Sequence, residues 1–186
     1  MSVLITDFIS NPIIEKKILG KNLIKNYSNN VTILLVWHQK CNKKYLDKFP
    51  NLKAIIRYGV GTDDIDLELA KKRSIKVANT PDYGVDEVSD TALSFLLSIT
   101  RKTQEYNNSL KKIDNFNNRW QETSLINTKR SSKYNVCSIG AGRIGSSFLL
   151  KAKSIGYNTF FYDPYLPSGY QKVLKAQRIF NVNDIG

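Results

Sequence analysis

The segment that most constrains this chain is Val136-Cys137-Ser138-Ile139-Gly140-Ala141-Gly142-Arg143-Ile144-Gly145. It sets glycine-x-glycine-x-x-glycine between an apolar strand and an amphipathic helix. Three glycines near a turn are common by themselves, and the bland alternative is a glycine-rich turn beside an ordinary capping aspartate. The surroundings favour more: strand, turn, helix, strand and acid follow in register, as a dinucleotide fold requires. Gly140 would permit the tight turn, Gly142 the approach of a pyrophosphate to bare backbone, and Gly145 the close packing of helix on strand. Phosphate oxygens would meet the unpaired N–H groups and the positive end of the helix. Asp163 follows Gly145 by 18 residues, after the strand Asn158 to Tyr162. A carboxylate there accepts both adenosine ribose hydroxyls and repels a 2′-phosphate, so NAD is expected over NADP.

The rest of the chain alternates strands and helices, which predicts a parallel α/β layer structure. Val3 to Phe8 is a short apolar run ending at Asn11-Pro12, where a helix with Ile13, Ile14, Ile18 and Leu19 on one face can start. Val31 to Trp37 and Ala54 to Ile56 are buried-type strands. Asp63 or Asp64 is placed to cap a helix carrying Ile65, Leu69 and Ala70, and Ile75 to Ala78 returns as a strand. Val85, Val88, Ala92, Leu93, Leu96, Leu97 and Ile99 repeat at helical spacing. From about Arg101 to Lys133 apolar residues thin out, with Phe116 and Trp120 as isolated anchors, as in an interdomain arm. Tyr134 opens the second α/β unit, whose helix is built on Ile144, Phe148, Leu149, Ala152 and Ile155. The 53 residues from Tyr134 supply two strands and one certain helix of a dinucleotide domain.

The net charge of +12 invites a nucleic-acid reading. Its distribution opposes it. Of the 28 basic residues 21 are lysine, and eight of the 16 acids fall between Asp63 and Asp90. Arginine, suited to bidentate phosphate and base contacts, is the scarce cation, so no specific nucleic acid is expected as partner. No apolar run reaches the ~18 residues of a membrane span. The N-terminus lacks a basic export region, and a cytoplasmic location is expected. Cys41 and Cys137 are in no metal-ligand spacing, so no metal site is expected and both read as buried or idle thiols. The single histidine, His38, ends a strand and reads as a surface or strand-end residue.

Four stretches in order resemble the NAD-dependent D-isomer-specific 2-hydroxyacid dehydrogenase family. They are Arg57 to Asp66, Asn79 to Asp90, the glycine turn, and Tyr162-Asp163-Pro164-Tyr165. The resemblance runs from about Leu52 to Gly186 and more faintly through the first fifty residues. Phe161 to Tyr165 and the following segment are also similar to the C-terminal binding protein corepressors, which share the fold and bind NAD. The resemblance implies a flavodoxin-like substrate domain (1–99, without its C-terminal return helix), an interdomain arm (100–133), and the first part of a Rossmann domain (134–186). It implies that Tyr58, Gly59, Val60 and Gly61 present N–H groups to a substrate carboxylate and that Arg57 steadies that loop; the alternative is a tight strand-to-helix turn with no ligand. It implies a cofactor set of Gly140, Gly142, Arg143, Ile144, Gly145, Asp163 and Pro164.

The family's catalytic arginine, glutamate and histidine would follow Gly186, so none is assigned here, and the chain is expected to be a C-terminally truncated portion. Val136, Ile139 and Phe160 lie in strands expected to be buried on both faces, and a homodimer or a complementing chain is the expected partner besides a small 2-hydroxy or 2-oxo acid. The implied activity is oxidoreduction of D-2-hydroxy acids by hydride transfer. The alternative is a non-catalytic, NAD-binding interaction module of the corepressor type.

Overall fold

Each strand of the first half is a short run of Val, Ile, Leu and Ala with few polar residues, the composition of strands covered on both faces of a parallel sheet. In the computed structural model, which describes residues 1–7, 9–111 and 127–185, these runs form one sheet. Phe8, Phe116 and Trp120 lie outside the described residues. The chain divides into two compact units, Met1–Tyr83 and Gly84–Gly186.

The first unit contains β1 (Val3–Ile5), α1 (Ile13–Leu19), β2 (Leu23–Ile24), β3 (Ile33–Val36), α2 (Lys43–Leu46), β4 (Ala54–Arg57), α3 (Leu67–Lys72) and β5 (Lys76–Ala78). The strands run parallel in the order β2-β1-β3-β4-β5, the flavodoxin-like arrangement. Alternation sets the core. Leu4, Leu34, Val36 and Ile55 meet Leu46, Phe49, Leu52, Ile65, Ala70 and Ile75 in one buried cluster. The Asn42 side chain caps α2 by accepting the Tyr45 N–H at 3.0 Å. The cap of α3 is Asp66, which accepts the Leu69 N–H at 2.9 Å, and not Asp63 or Asp64. Tertiary pairing explains the shift. Cys41 and Ile65 form a parallel bridge, with Cys41 N–H on Asp64 O at 2.7 Å and Asp66 N–H on Cys41 O at 3.2 Å, which keeps Ile65 extended and delays the helix. Ile13, Ile14 and Ile18 share a face of α1 as expected, but that face is exposed.

The second unit contains α4 (Val85–Arg101), α5 (Thr103–Leu110), β6 (Asn135–Ile139), α6 (Arg143–Ser154), β7 (Asn158–Tyr162), α7 (Tyr170–Leu174) and β8 (Gln177–Ile179). Lys102, left-handed at φ +52°, separates α4 from α5 within the stretch read as an arm. The three strands are parallel in the order β6-β7-β8. Beyond the two strands and one certain helix that the sequence predicts for 134–186, α7 and β8 are additional.

Helix α4 belongs with this second unit, although the 1–99 division grouped it with the first. Leu93, Leu96 and Leu97 pack against Val136, Ala152 and Tyr157, which joins α4 to α6, whereas Val88 and Ile99 of the same predicted stripe are exposed. Polar contacts fix the pair: buried Ser89 meets Ser147 Oγ at 3.0 Å, and Lys151 Nζ reaches Ser89 Oγ and Asp90 Oδ1, each at 2.7 Å. On the other side of α6, Leu149 enters a cluster with Ala141, Phe161, Leu174 and Ala176. Val136 is buried, Phe160 is half-buried and Ile139 is exposed, so the burial expected on both faces fails at Ile139.

Candidate functional site

The geometry of the turn after β6 requires two of its three glycines. Gly140 has φ +90°, a conformation that L side chains rarely adopt, and its N–H donates to Tyr162 O at 2.8 Å, closing the turn onto β7. A Cβ on Gly145 would stand 2.1 Å from Gly140 O, so only glycine lets α6 lie this close to the end of β6. A Cβ on Gly142 would meet nothing within 4 Å. Gly142 stands at the N-terminus of α6 without a side-chain cap. Among the described residues, the N–H groups of Gly142, Arg143 and Ile144 have no acceptor. Unpaired donors, the helix dipole and an open approach together form a cradle for an anionic group. Arg143 and Ile144 are exposed beside it.

Asp163 stands across this turn at the end of β7. Its Oδ2 accepts the N–H of Ala141 and its Oδ1 the N–H of Tyr165, each at 2.9 Å. These two bonds, the Ala141 one foremost, hold the carboxyl below the usual carboxylate range against a smaller opposing effect of desolvation. Each oxygen of an ionised carboxylate keeps a further lone pair, so both remain able to accept a hydroxyl. Pro164 follows, exposed, at the start of the loop. Neither Ala141 as the donor to Asp163 nor Arg178, which donates to Asp163 O at 2.6 Å, was foreseen from sequence. A main-chain donor and a main-chain acceptor leave no residue-type signal.

In the first unit, the second candidate cluster follows β4. Tyr58 N–H donates to Val36 O at 2.7 Å, and the chain then leaves the sheet. Arg57 folds back over the loop: Nη1 donates to Tyr58 O at 2.6 Å and occupies the space of a Gly59 Cβ, which would lie 1.8 Å from it. Thr80 N–H on Gly59 O at 3.1 Å and Asn79 Nδ2 on Val60 O at 2.8 Å hold the loop's carbonyls. The N–H groups of Gly59, Val60 and Gly61 have no acceptor among the described residues. The loop is thus fixed through its carbonyls, and three of its N–H donors stay unpaired among the described residues. Tyr58 hydroxyl donates to Glu15 Oε1 at 2.9 Å, and burial, with that bond, pushes its pKa well above the ordinary tyrosine value.

His38 is exposed; its N–H donates to Asp7 Oδ2, and its ring lies 4.3 Å from that of Trp37. A cavity of about 720 Å³ by the ends of β1 and β2 is lined by Thr6, Asp7, Lys16 and Lys25 among others, none of them a sequence candidate. No group of three or more His, Cys, Asp and Glu side chains among the described residues is placed to hold a metal ion. No helix among them is long and apolar enough to cross a membrane.

A family model described as D-isomer specific 2-hydroxyacid dehydrogenase, catalytic domain, matches residues 4–160. The chain is 31% identical over 162 residues to C-terminal-binding protein 1 of Caenorhabditis elegans, covering 84% of this chain and 22% of that protein. It is 30% identical over 146 residues to D-3-phosphoglycerate dehydrogenase of Methanocaldococcus jannaschii, covering 78% and 27%. Among solved structures, D-lactate dehydrogenase from Aquifex aeolicus, complexed with NAD and lactic acid, superimposes with a TM-score of 0.78 at 22% identity, covering 97% of this chain and 56% of that one. D-mandelate dehydrogenase of Rhodotorula graminis does so with a TM-score of 0.76 at 17% identity, covering 97% and 61%. At these identities the structural likeness shows the fold. The chain spans about a quarter of the length of the curated relatives it matches.

Proposed function

Because this chain belongs to the D-isomer specific 2-hydroxyacid dehydrogenase family, we propose that it serves NAD-dependent oxidoreduction of a small D-2-hydroxy acid, holding cofactor and substrate carboxylate largely through main-chain N–H groups. One observation carries the reading: Asp163 is hydrogen-bonded to the glycine turn through Ala141, which sets a carboxylate beside a cradle of unpaired amides. NAD, when bound, supplies the hydride acceptor, and its reduced form the donor. Gly142, Arg143 and Ile144 would hold the pyrophosphate with their N–H groups at the α6 N-terminus. Asp163 would accept the adenosine ribose hydroxyls and disfavour a 2′-phosphate, with Pro164 shaping the loop that follows.

The amides of Gly59, Val60 and Gly61 would hold the substrate carboxylate, with Arg57 bracing the loop from behind. Orientation of two ligands is what these residues contribute; no proton-transferring residue is assigned in this chain. The expected partner, a second copy or a complementing chain, is supported by the exposed Val88, Phe95 and Ile99 of α4, which recur at helical spacing.

The test is a fluorescence titration of NADH into the 186-residue chain and into Asp163→Ala. The wild type is expected to bind, and the variant about tenfold or more weakly, as befits loss of a charge-assisted acceptor. Equal affinities would remove Asp163 from the site. A second reading, a non-catalytic NAD-binding interaction module, is supported by the 31% identity to C-terminal-binding protein 1. It predicts capture of a partner protein that changes with the NAD/NADH ratio; capture indifferent to that ratio would exclude it.

A further inference from the structure

Arg178 is the middle residue of β8, in register with buried Phe161 of β7. Its guanidinium carbon lies 5.8 Å from the centre of the Phe161 ring and 5.5 Å from that of Phe180. From there the guanidinium reaches the loop after β7. Nη2 donates to Asp163 O at 2.6 Å and to Leu166 O at 2.8 Å, and Nη1 donates to Pro167 O at 3.0 Å. Three carbonyls of one five-residue stretch thus converge on a single side chain. Aspartate 163 is therefore held twice, its carboxylate by the N–H groups of Ala141 and Tyr165 and its own carbonyl by Arg178.

The chemistry suits arginine and not lysine. A planar fork with several fixed N–H groups can bridge three acceptors and still lie against aromatic rings, whereas an ammonium offers one donor centre on a flexible stem. The arrangement also decides what this cation does not do. An arginine near the adenosine ribose commonly accommodates the 2′-phosphate of NADP. Here the fork is engaged by the loop, and its two nitrogens within reach face main-chain carbonyls.

We propose that Arg178 is a positioning residue for Asp163: by fixing the carbonyls of Asp163, Leu166 and Pro167 it sets the carboxylate for the ribose hydroxyls, and it is not a receptor for a 2′-phosphate. The proposal rests on the reading of Asp163 as a cofactor-binding residue. Removing the guanidinium frees the 163–167 stretch to move, and the main-chain N–H bonds to the carboxylate then have to order that stretch without it. Affinity falls because ordering the loop is transferred to the binding step. The positive charge also helps keep the carboxyl ionised, as a smaller contribution behind the amide bonds.

The experiment titrates NADH and NADPH into the 186-residue chain and into Arg178→Met, Arg178→Lys, Asp163→Ala and the Arg178→Met/Asp163→Ala double variant. Far-ultraviolet circular dichroism reports folding. Arg178→Met is expected to bind NADH about tenfold more weakly. Arg178→Lys keeps the charge and the stem, guards against loss of fold, and is expected to restore little of the affinity. Asp163→Ala should cost much less in the Arg178→Met background than in the wild type, because a misplaced carboxylate has less to lose. Asp163→Ala relieves the repulsion of a 2′-phosphate, and whatever NADPH affinity it gains should be the same with arginine or methionine at position 178. Unchanged NADH affinity in folded Arg178→Met, full rescue by lysine, additive effects in the double variant, or strong NADPH binding by Asp163→Ala that Arg178→Met abolishes would each overturn the proposal. A wild type that fails to bind NADH would instead overturn the functional reading beneath it, and the proposal with it.

Discussion

Gly145→Ala tests the packing of α6 on β6 with a single methyl group. The added Cβ would fall 2.1 Å from Gly140 O, 2.9 Å from Ser138 Oγ and 3.1 Å from Gly140 C. Serine can rotate away; the carbonyl is main chain and cannot do so without disturbing the turn. Ordinary contact starts near 3.4 Å, so helix and turn must part by about 1.3 Å along that line. Helix α6 carries Leu149 and Ala152 into the two core clusters of its unit, both almost fully buried, so a shift of that size is felt in both. Overpacking of this kind costs about 1–3 kcal/mol. Alanine gains up to about 1 kcal/mol of helix propensity, and less than that in a first turn. The net expectation is a loss of about 1–2 kcal/mol, or a fall in Tm of roughly 5 °C or more for a unit of this size. Thermal unfolding followed by circular dichroism measures it. Gly142→Ala is the control, since its Cβ meets nothing within 4 Å. It should leave Tm unchanged while weakening NADH, because its methyl would fill the approach to the free amides. A Gly145→Ala protein as stable as the wild type would refute the close-packing argument, and unimpaired NADH binding by Gly142→Ala would refute the cradle.

Asp7 is pushed up by burial, but bonds from the Thr6 hydroxyl and the Trp37 and His38 N–H groups outweigh it and hold its pKa below the ordinary value. A depressed folded pKa gives stability that is present above the unfolded value of about 3.9 and lost as pH falls through the folded one. Asp7→Asn should therefore destabilise the first unit at pH 7, and in urea titrations its effect should shrink as pH falls below about 3.9; an effect that does not shrink on acidification would contradict the assignment. Cys41 is fully buried, and burial foremost pushes its thiol up to about 11. It should resist a thiol reagent at pH 8 until the first unit unfolds, and mass-spectrometric labelling of Cys41 in the native protein would count against that placement.

What could be read from the sequence was what main-chain geometry demands of residue type. Gly140 needs a positive φ, Gly145 needs the absence of a Cβ, and Asp163 needs a fixed distance down the next strand; each requirement leaves a mark at a definite position. The apolar stripe of α4 was equally plain. Its destination was not, because periodicity reports that a helix has an apolar face and not which sheet it covers. The cap of α3 failed for a related reason: Asp63, Asp64 and Asp66 are all acceptable N-caps, and a bridge to Cys41, far off in sequence, selected the last.

Arg178 marks the opposite limit. Its role is written in three carbonyl oxygens, which every residue possesses, so no pattern of side chains announces it. Strand β8 hid for the same reason, being three residues with a polar first and a charged second. The two limits meet at one site. The glycine turn leaves the Gly142, Arg143 and Ile144 N–H groups open to approach, and that half is legible because it depends on missing atoms. The placement of Asp163 depends on a side chain gripping backbone, and that half becomes visible only when β7 and β8 are paired. A sequence that kept the three glycines and Asp163 but lost Arg178 would thus retain the dinucleotide pattern and, on this reasoning, bind the cofactor less well.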